Sequence, residues 1–494
     1  MNAANKLRWR DWLCRPYMVI GVAALFSILM SAPMLGYPLI HIDEQFYLLV
    51  GDGMLNGSLP YVDVWDRKPI GLFLIYAVAR LGGGEGIWQY QLLALISVVA
   101  TALVISRIAS RFASPLAAIG AAMIYIVWLN IGGGSGGQAP VFYNLPMAGA
   151  ALLLVRTVEV PRGDRLPQLL RSGGLTMLLV GVAMQIKYTA VFEGIGFGLV
   201  LLWSARGERM PLPQFCAAAA VWIACALLPT AIALAAYGAM GALNEFMFAN
   251  FYSIFHRSPA TSGEVALRLL RLAAFVLPLF ILAAAAAKQK AGGTAVIVKR
   301  LVWLWLAVAC AGVLAFGTYF RHYALPVFLP GAIASAVAFD IPGHIRRAAV
   351  ATLLVAIFVG QVMLVDIRRN EGSREMLDRM VAAMNGHPGC LLVFKGHPIL
   401  YHFSDRCRLS LFWMPAHLDK ANEAQALGID VSAATRRILS RKPGLIVTTS
   451  PIRQSDNFET RAILDAALAR DYKLVYQEKA GRTVHQLYAL KPKA

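Results

Sequence analysis

The sequence predicts a polytopic α-helical membrane protein with a small C-terminal α/β domain, and three observations carry that prediction. Of 494 residues, 58% are hydrophobic and only 15% charged, with a mean hydropathy of +0.59, which leaves too few charges to cover a soluble protein of this size. Many segments approach or exceed the roughly 20 apolar residues that cross a bilayer. Lys and Arg recur in alternate loops, the pattern that orients membrane helices. In a soluble chain a formal charge of +19 would suggest nucleic acid as a partner; here the side of the membrane on which the charges lie is what matters.

Taken in order, Arg8, Arg10 and Arg15 set the N-terminus in the cytoplasm, so residues 17–36 cross outward. No clear small-residue cleavage site follows, and the run is long enough to stay as a helix. The loop 37–86 is then external. Within it, 44–55 has the helical spacing of a surface helix, and 69–81 is apolar over about 13 residues, shorter than the ~17 to 25 of a span. That second segment is expected to be interfacial or re-entrant.

Placed so, every later basic cluster falls inside. Residues 87–105 run in to Arg107 and Arg111, and 115–131 run out to a glycine-rich loop at 132–137. Residues 141–155 return to Arg156, Arg162, Arg165 and Arg171; 174–186 exit, and 191–203 return to Arg206 and Arg209. Residues 215–237 lead to an external loop, 238–268; 269–287 return to Lys288 and Lys290; 301–316 exit, 325–339 return to Arg346 and Arg347, and 349–365 exit last. The expectation is therefore eleven spans in a membrane domain, 1–366, and an external domain, 367–494, with strands at 390–394, 445–449, 472–477 and 484–490 and an amphipathic helix at 459–470. Six cysteines show no metal-like spacing. Cys390 and Cys407 can pair if their domain lies outside the cytoplasm.

The densest chemistry lies in the first external loop, where Asp43, Glu44, Asp63, Asp66, Arg67 and Lys68 stand among aromatics. A carboxylate there can serve as general base, typically worth 10²- to 10⁴-fold, and a lysine can hold phosphate as a point charge. The same charges could instead only keep a turn out of the lipid. An Asp-Glu after the first span, then a surface helix, then Leu59-Pro-Tyr-Val-Asp-Val-Trp-Asp-Arg-Lys-Pro69 ahead of an apolar helix, resembles the first external loop of the glycosyltransferase family 39 superfamily, which includes protein O-mannosyltransferases and the lipid A aminoarabinose transferase.

That resemblance implies a GT-C-like fold and inverting transfer of a monosaccharide from a polyprenyl-phosphate donor, outside the membrane, to a lipid, glycan or protein acceptor. It implies Asp43 as catalytic carboxylate with Glu44 beside it, and Lys68 as a donor-phosphate contact. Tyr319-Phe-Arg-His-Tyr323 resembles the family's motif before a late span; it makes Arg321 a second phosphate candidate and His322 and Tyr323 substrate-side candidates. Lys187, at a turn on the same side, is a third phosphate candidate. Asp63 and Asp66 are further acids, Tyr61 and Trp65 can stack on a sugar, and His256 lies in an aromatic-rich loop.

The pattern departs from the family at Pro140-Val-Phe-Tyr-Asn-Leu-Pro146, where Asn144 stands in the place of a second acid and cannot act as a base. The glycines at 132–137 lack the strand-to-helix context of a phosphate cradle and read as a flexible loop. No tightly bound cofactor or metal is expected; a labile divalent cation near Asp43 fits the few ligands hard cations need. The competing readings are a transporter or flippase, disfavoured because the acids cluster outside rather than at the midplane, and a non-catalytic relative that binds a lipid-linked glycan.

Overall fold

Apolar runs of this length satisfy their backbone hydrogen bonds internally, and in the computed structural model they are helices almost throughout. The structure describes residues 16–257, 262–289, 292–317 and 319–492; Arg8, Arg10, Arg15 and Lys290, on which part of the expected orientation rests, lie outside the described residues. Among the described residues, ten helices are long and apolar enough to cross a membrane, from Ile87–Ala109 to the stretch His344–Met384. They coincide with the predicted spans from residue 87 onward. The first predicted span is the shorter apolar helix Pro16–Ser31, and Ile70–Arg80, at 11 residues, is about 16 Å long and falls short of a bilayer, as expected. The chain is a multi-pass membrane protein. Several helices begin earlier than the hydropathy indicates: Thr294–Phe316 takes in Lys299 and Arg300, whose long stems can lie along apolar surface.

Two compact units emerge. The first comprises Met1–Ala32, Gln91–Ala233 and Ser262–Met363. Its core is made by Pro115–Leu129 and Leu325–Ser335, nearly every residue of which is buried. Small residues set the packing distance: a Cβ on Gly331 would lie 2.7 Å from Leu279, and one on Gly120 3.0 Å from Phe339. The loop expected to be flexible is instead a packed element. Asn130–Gly134 forms a π-helical turn, and a Cβ on Gly132 would stand 2.7 Å from the Phe328 ring. Close packing is what demands glycine there.

The second unit comprises Pro33–Tyr90, Leu234–Thr261 and Leu364–Ala494. The helices Ile42–Leu55 and Ile70–Arg80 pair closely, with Phe46, Tyr47, Leu48 and Leu49 buried between elements. The helix Ile42–Leu55 is thus far more buried than a helix floating on a membrane surface. The sheet comprises β1 Leu391–Val393, β2 Leu445–Ser450, β3 Tyr472–Ala480 and β4 Thr483–Leu490, in the order β1-β2-β4-β3. β1 and β2 are parallel, in register from Leu391 opposite Leu445; β2 with β4 and β4 with β3 are antiparallel. The helix Phe458–Asp471 packs on the sheet, capped by Asn457, whose side chain accepts from the backbone N–H of Glu459 and Thr460. Cys390 and Cys407 form a disulfide at the start of β1.

Candidate functional site

His41 caps the helix Ile42–Leu55 by accepting from the Asp43 backbone N–H through Nδ1 at 3.2 Å. Asp43 and Glu44 therefore occupy the first helical turn, where the helix dipole stabilises a carboxylate by about 0.3–1 kcal/mol. The Asp43 carboxylate, about one-fifth exposed, lies 3.6 Å from His41 Nδ1, whereas Glu44 is fully buried. The two neighbouring acids thus have different surroundings: Asp43 reaches solvent and Glu44 does not.

The loop after Asn56 folds back on this helix. Asp63 accepts from the Leu59 N–H at 2.7 Å and closes the turn, an exposed and local role. Asp66, 3% exposed, accepts from the backbone N–H of Arg67 (2.7 Å) and Lys68 (2.8 Å) and binds Lys68 Nζ through both oxygens at 3.2 Å. Tyr61 donates from its hydroxyl to the Lys68 carbonyl at 2.7 Å. Lys68 Nζ stands over the rings of Tyr47 (5.2 Å) and Phe46 (5.8 Å), on the helix whose first turn carries Asp43. Burial alone would lower the lysine's pKa, but the charges of Asp66 and then Asp43 outweigh it and raise the pKa above the ordinary value. Lys68 is therefore a held ammonium with about a third of its side chain exposed.

The aromatic candidates take a different part. Trp65, 6% exposed, has its backbone N–H on the Leu411 carbonyl, meets the His417 ring edge-on at 4.8 Å and belongs to the core containing Phe394, Phe412 and Ile446. Tyr61, 3% exposed, is enclosed by Phe73, Tyr237 and Phe246. The structure gives both rings to the core, so neither presents a face for a sugar. His256 ends the 3₁₀ turn Ser253–His256, exposed and stacked on Phe248 at 6.3 Å.

The remaining candidates belong to the first unit. Asn144, 1% exposed in the helix Ala139–Glu159, donates to the Tyr125 hydroxyl (3.2 Å) and toward the Leu325 carbonyl (3.5 Å), and so serves as a packing amide. Lys187 Nζ lies 4.3 Å from the centre of the Tyr323 ring. His322 stacks on Phe320 at 5.8 Å and meets the Tyr323 ring at a tilt, 4.7 Å between centres, and Arg321 approaches Met363 Sδ at 3.9 Å.

Sequence reasoning missed several groups that contact residues of the first loop and its helix. His417 Nε2 stands 3.8 Å from Asp66, and burial pushes the imidazole pKa down to about 4, so it is neutral. Glu423 bridges Arg67 and Arg257, the latter at 2.7 Å. The Gln45 side chain meets His397 at 3.4 Å. These partners lie between about 170 and 360 residues away in the chain, and no local pattern marks them. Among the described residues, no group of three or more His, Cys, Asp or Glu is arranged to hold a metal ion.

Comparison with known proteins supplies a context. Residues 66–233 match the family model described as dolichyl-phosphate-mannose-protein mannosyltransferase. Among solved structures, the chain resembles the crystal structure of ArnT from Cupriavidus metallidurans bound to undecaprenyl phosphate, with a TM-score of 0.61 and 14% identity over 97% of this chain and 99% of that one. No curated protein matches in sequence. Both matches agree with the resemblance drawn from the first loop, and the fold is of the GT-C type which that resemblance implied.

Proposed function

We propose that this chain is a membrane glycosyltransferase that moves a monosaccharide from a polyprenyl-phosphate-linked donor to an acceptor, by inverting displacement on the outer side of the membrane. One observation supports the reading above the others: the first loop holds a solvent-reaching carboxylate, Asp43, at a helix N-terminus within electrostatic range of a held lysine, Lys68. In the proposed step the acceptor hydroxyl or amine, its proton taken by Asp43, attacks the anomeric carbon on the face opposite the lipid phosphate. The bond from that carbon to the phosphate oxygen breaks, and its electron pair leaves with the phosphate, where Lys68 offsets the added charge. Asp66 positions Lys68 and keeps it protonated, and Glu44 remains a buried neighbour.

The fold match to a protein crystallised with undecaprenyl phosphate and the family match both favour a lipid-linked donor. Arg321 and Lys187 are proposed separately as donor contacts of the first unit. The disulfide of the C-terminal domain supports its placement outside the cytoplasm, where thiols oxidise.

The test has two arms. Native mass spectrometry of the purified protein is expected to find a retained polyprenyl-phosphate sugar, weakened in Lys68→Ala; failure of any such lipid to bind, even when added, removes the reading. Asp43→Asn is expected to lower transfer by about 10² or more while donor binding persists. Unchanged turnover in that variant would take Asp43 out of the mechanism.

A further inference from the structure

The arginines at 162, 165 and 206 enter the sequence argument only as charges that orient helices, yet the fold of the first unit gathers them. The loop that joins Ala139–Glu159 to Leu166–Met184 and the end of Ala190–Gly207 surround a cavity of about 170 Å³ lined by Arg162, Arg165, Trp203, Ser204, Arg206 and Gly207.

Arg165 is 5% exposed and fixed in place: Nη2 donates to the carbonyls of Val158 (2.9 Å) and Val160 (2.8 Å), and Nε to Val160 (3.1 Å). The Arg162 guanidinium lies 5.9 Å from the centre of the Trp203 ring. The nearby acid, Glu208, accepts from the Gly163 N–H at 2.8 Å. Burial lowers the pKa of Arg165, Glu208 offsets part of that, and Arg162 adds repulsion. Arg162, Arg165, Arg206 and Arg209 outnumber the two acids of the same stretches, Asp164 and Glu208.

A second, independent feature points the same way. Ser204, 2% exposed, is one of the lining residues, and its buried hydroxyl has no hydrogen-bond partner. A buried hydroxyl left unpaired is unfavourable, and a phosphate oxygen brought against it would accept a hydrogen bond from it.

We propose that this cavity is a binding site for a phosphate-bearing anion, whose oxygens accept from the guanidinium groups of Arg162 and Arg206 and from the Ser204 hydroxyl. Arginine suits the role because its planar fork binds phosphate through paired hydrogen bonds, and basic pockets between membrane helices recognise lipid headgroups. Trp203, 63% exposed on the rim, is the residue type enriched at membrane interfaces. The phosphate belongs either to the headgroup of an anionic phospholipid or to a soluble ligand. The site goes beyond the proposed transfer reaction and shares no residue with the Asp43–Lys68 loop, so either reading can fail alone.

The test uses the full-length protein in nanodiscs of mixed phosphatidylglycerol and phosphatidylcholine, followed by native mass spectrometry. Arg165 is left intact because its carbonyl bonds hold the loop. Wild type is expected to retain phosphatidylglycerol selectively, and Arg162→Ala/Arg206→Ala to lose about tenfold or more of that affinity; Ser204→Ala, which leaves every arginine in place, is expected to weaken retention less. The second arm titrates inorganic phosphate into detergent-solubilised protein. A phosphate-dependent rise in melting temperature that the double variant lacks, without lipid selectivity, assigns a soluble ligand. Equal lipid retention and no phosphate response in wild type and both variants overturn the proposal. Should the double variant fail to fold, Ser204→Ala alone decides the question.

Discussion

Lys68 illustrates how a charge is kept available in a crowded loop. Its ammonium has three protons; Asp66 takes hydrogen bonds through two oxygens at 3.2 Å, and the aromatic rings of Phe46 and Tyr47 face the remaining charge without neutralising it. Asp66 can do this because its own position is fixed by two backbone N–H groups. Trp65, one residue before, does something else. Buried beside His417 in the C-terminal core, it ties the loop to residues more than 300 positions later. Trp65→Ala is therefore expected to cost about 3–5 kcal/mol in stability, measured by denaturation of the purified protein. If instead stability holds and only sugar binding falls, the ring is a binding platform and its assignment to the core is wrong.

At the scale of elements, the pair Ile42–Leu55 and Ile70–Arg80 depends on one small residue. A Cβ on Gly51 would stand 2.7 Å from the backbone N of Ala77 and 2.7 Å from the carbonyl carbon of Tyr76. Backbone cannot swing aside as a long side chain does, so Gly51→Ala must push the helices apart and shift Asp43 relative to Lys68. The expected result is a destabilised protein, by about 1–3 kcal/mol, with weaker donor retention by native mass spectrometry. A variant with unchanged melting and retention would mean that this close approach is not what sets the pair. Gly132 and Gly134 act in the same way within the first unit. A glycine-rich stretch reads as mobile in sequence, yet close contact with Phe328 and Leu325 is what excludes a side chain at Gly132, and Leu129 does the same at Gly134.

For the whole molecule, pH and sidedness are the accessible tests. Burial pushes His397 down to about 3 and His417 and His485 to about 4, from an ordinary 6.5. Between those values and 6.5 the unfolded chain binds protons that the folded chain refuses, so stability is present above pH 6.5 and is lost as pH falls toward 4. Each histidine contributes a slope of at most about 1.4 kcal/mol per pH unit. Asp419, raised by burial to about 6, works in the opposite sense, since its folded form holds a proton between about 4 and 6. His402 is shifted down by burial as well, and Glu371 up, so four imidazoles oppose two carboxyls, and the net expectation is a falling melting temperature from pH 7 to pH 4.5. A flat profile would show these imidazoles to be solvated. Sidedness is tested by a cysteine introduced at Ser455: reaction with an impermeant thiol reagent in intact cells fits an external C-terminal domain, and labelling only after lysis rejects the eleven-span topology.

The sequence alone determined the membrane class, the positions of the long helices and the strands of the C-terminal sheet, because these follow from local hydropathy and periodicity. The runs at 445–449 and 484–490 became β2 and β4, and 69–81 became a helix too short to cross. It also marked Asp43 and Lys68, through a pattern confined to one loop. Only the tertiary structure decided what surrounds them. That Trp65 and Tyr61 are enclosed, that His417 faces Asp66, that Glu423 bridges Arg67 and Arg257, and that Asn144 is satisfied by Tyr125 and Leu325 all depend on contacts between distant parts of the chain. The same holds for the arginine-lined cavity beside Ser204. Local periodicity sets which face of an element is apolar; which partner covers that face, and which charge it brings, is settled only when the elements pack.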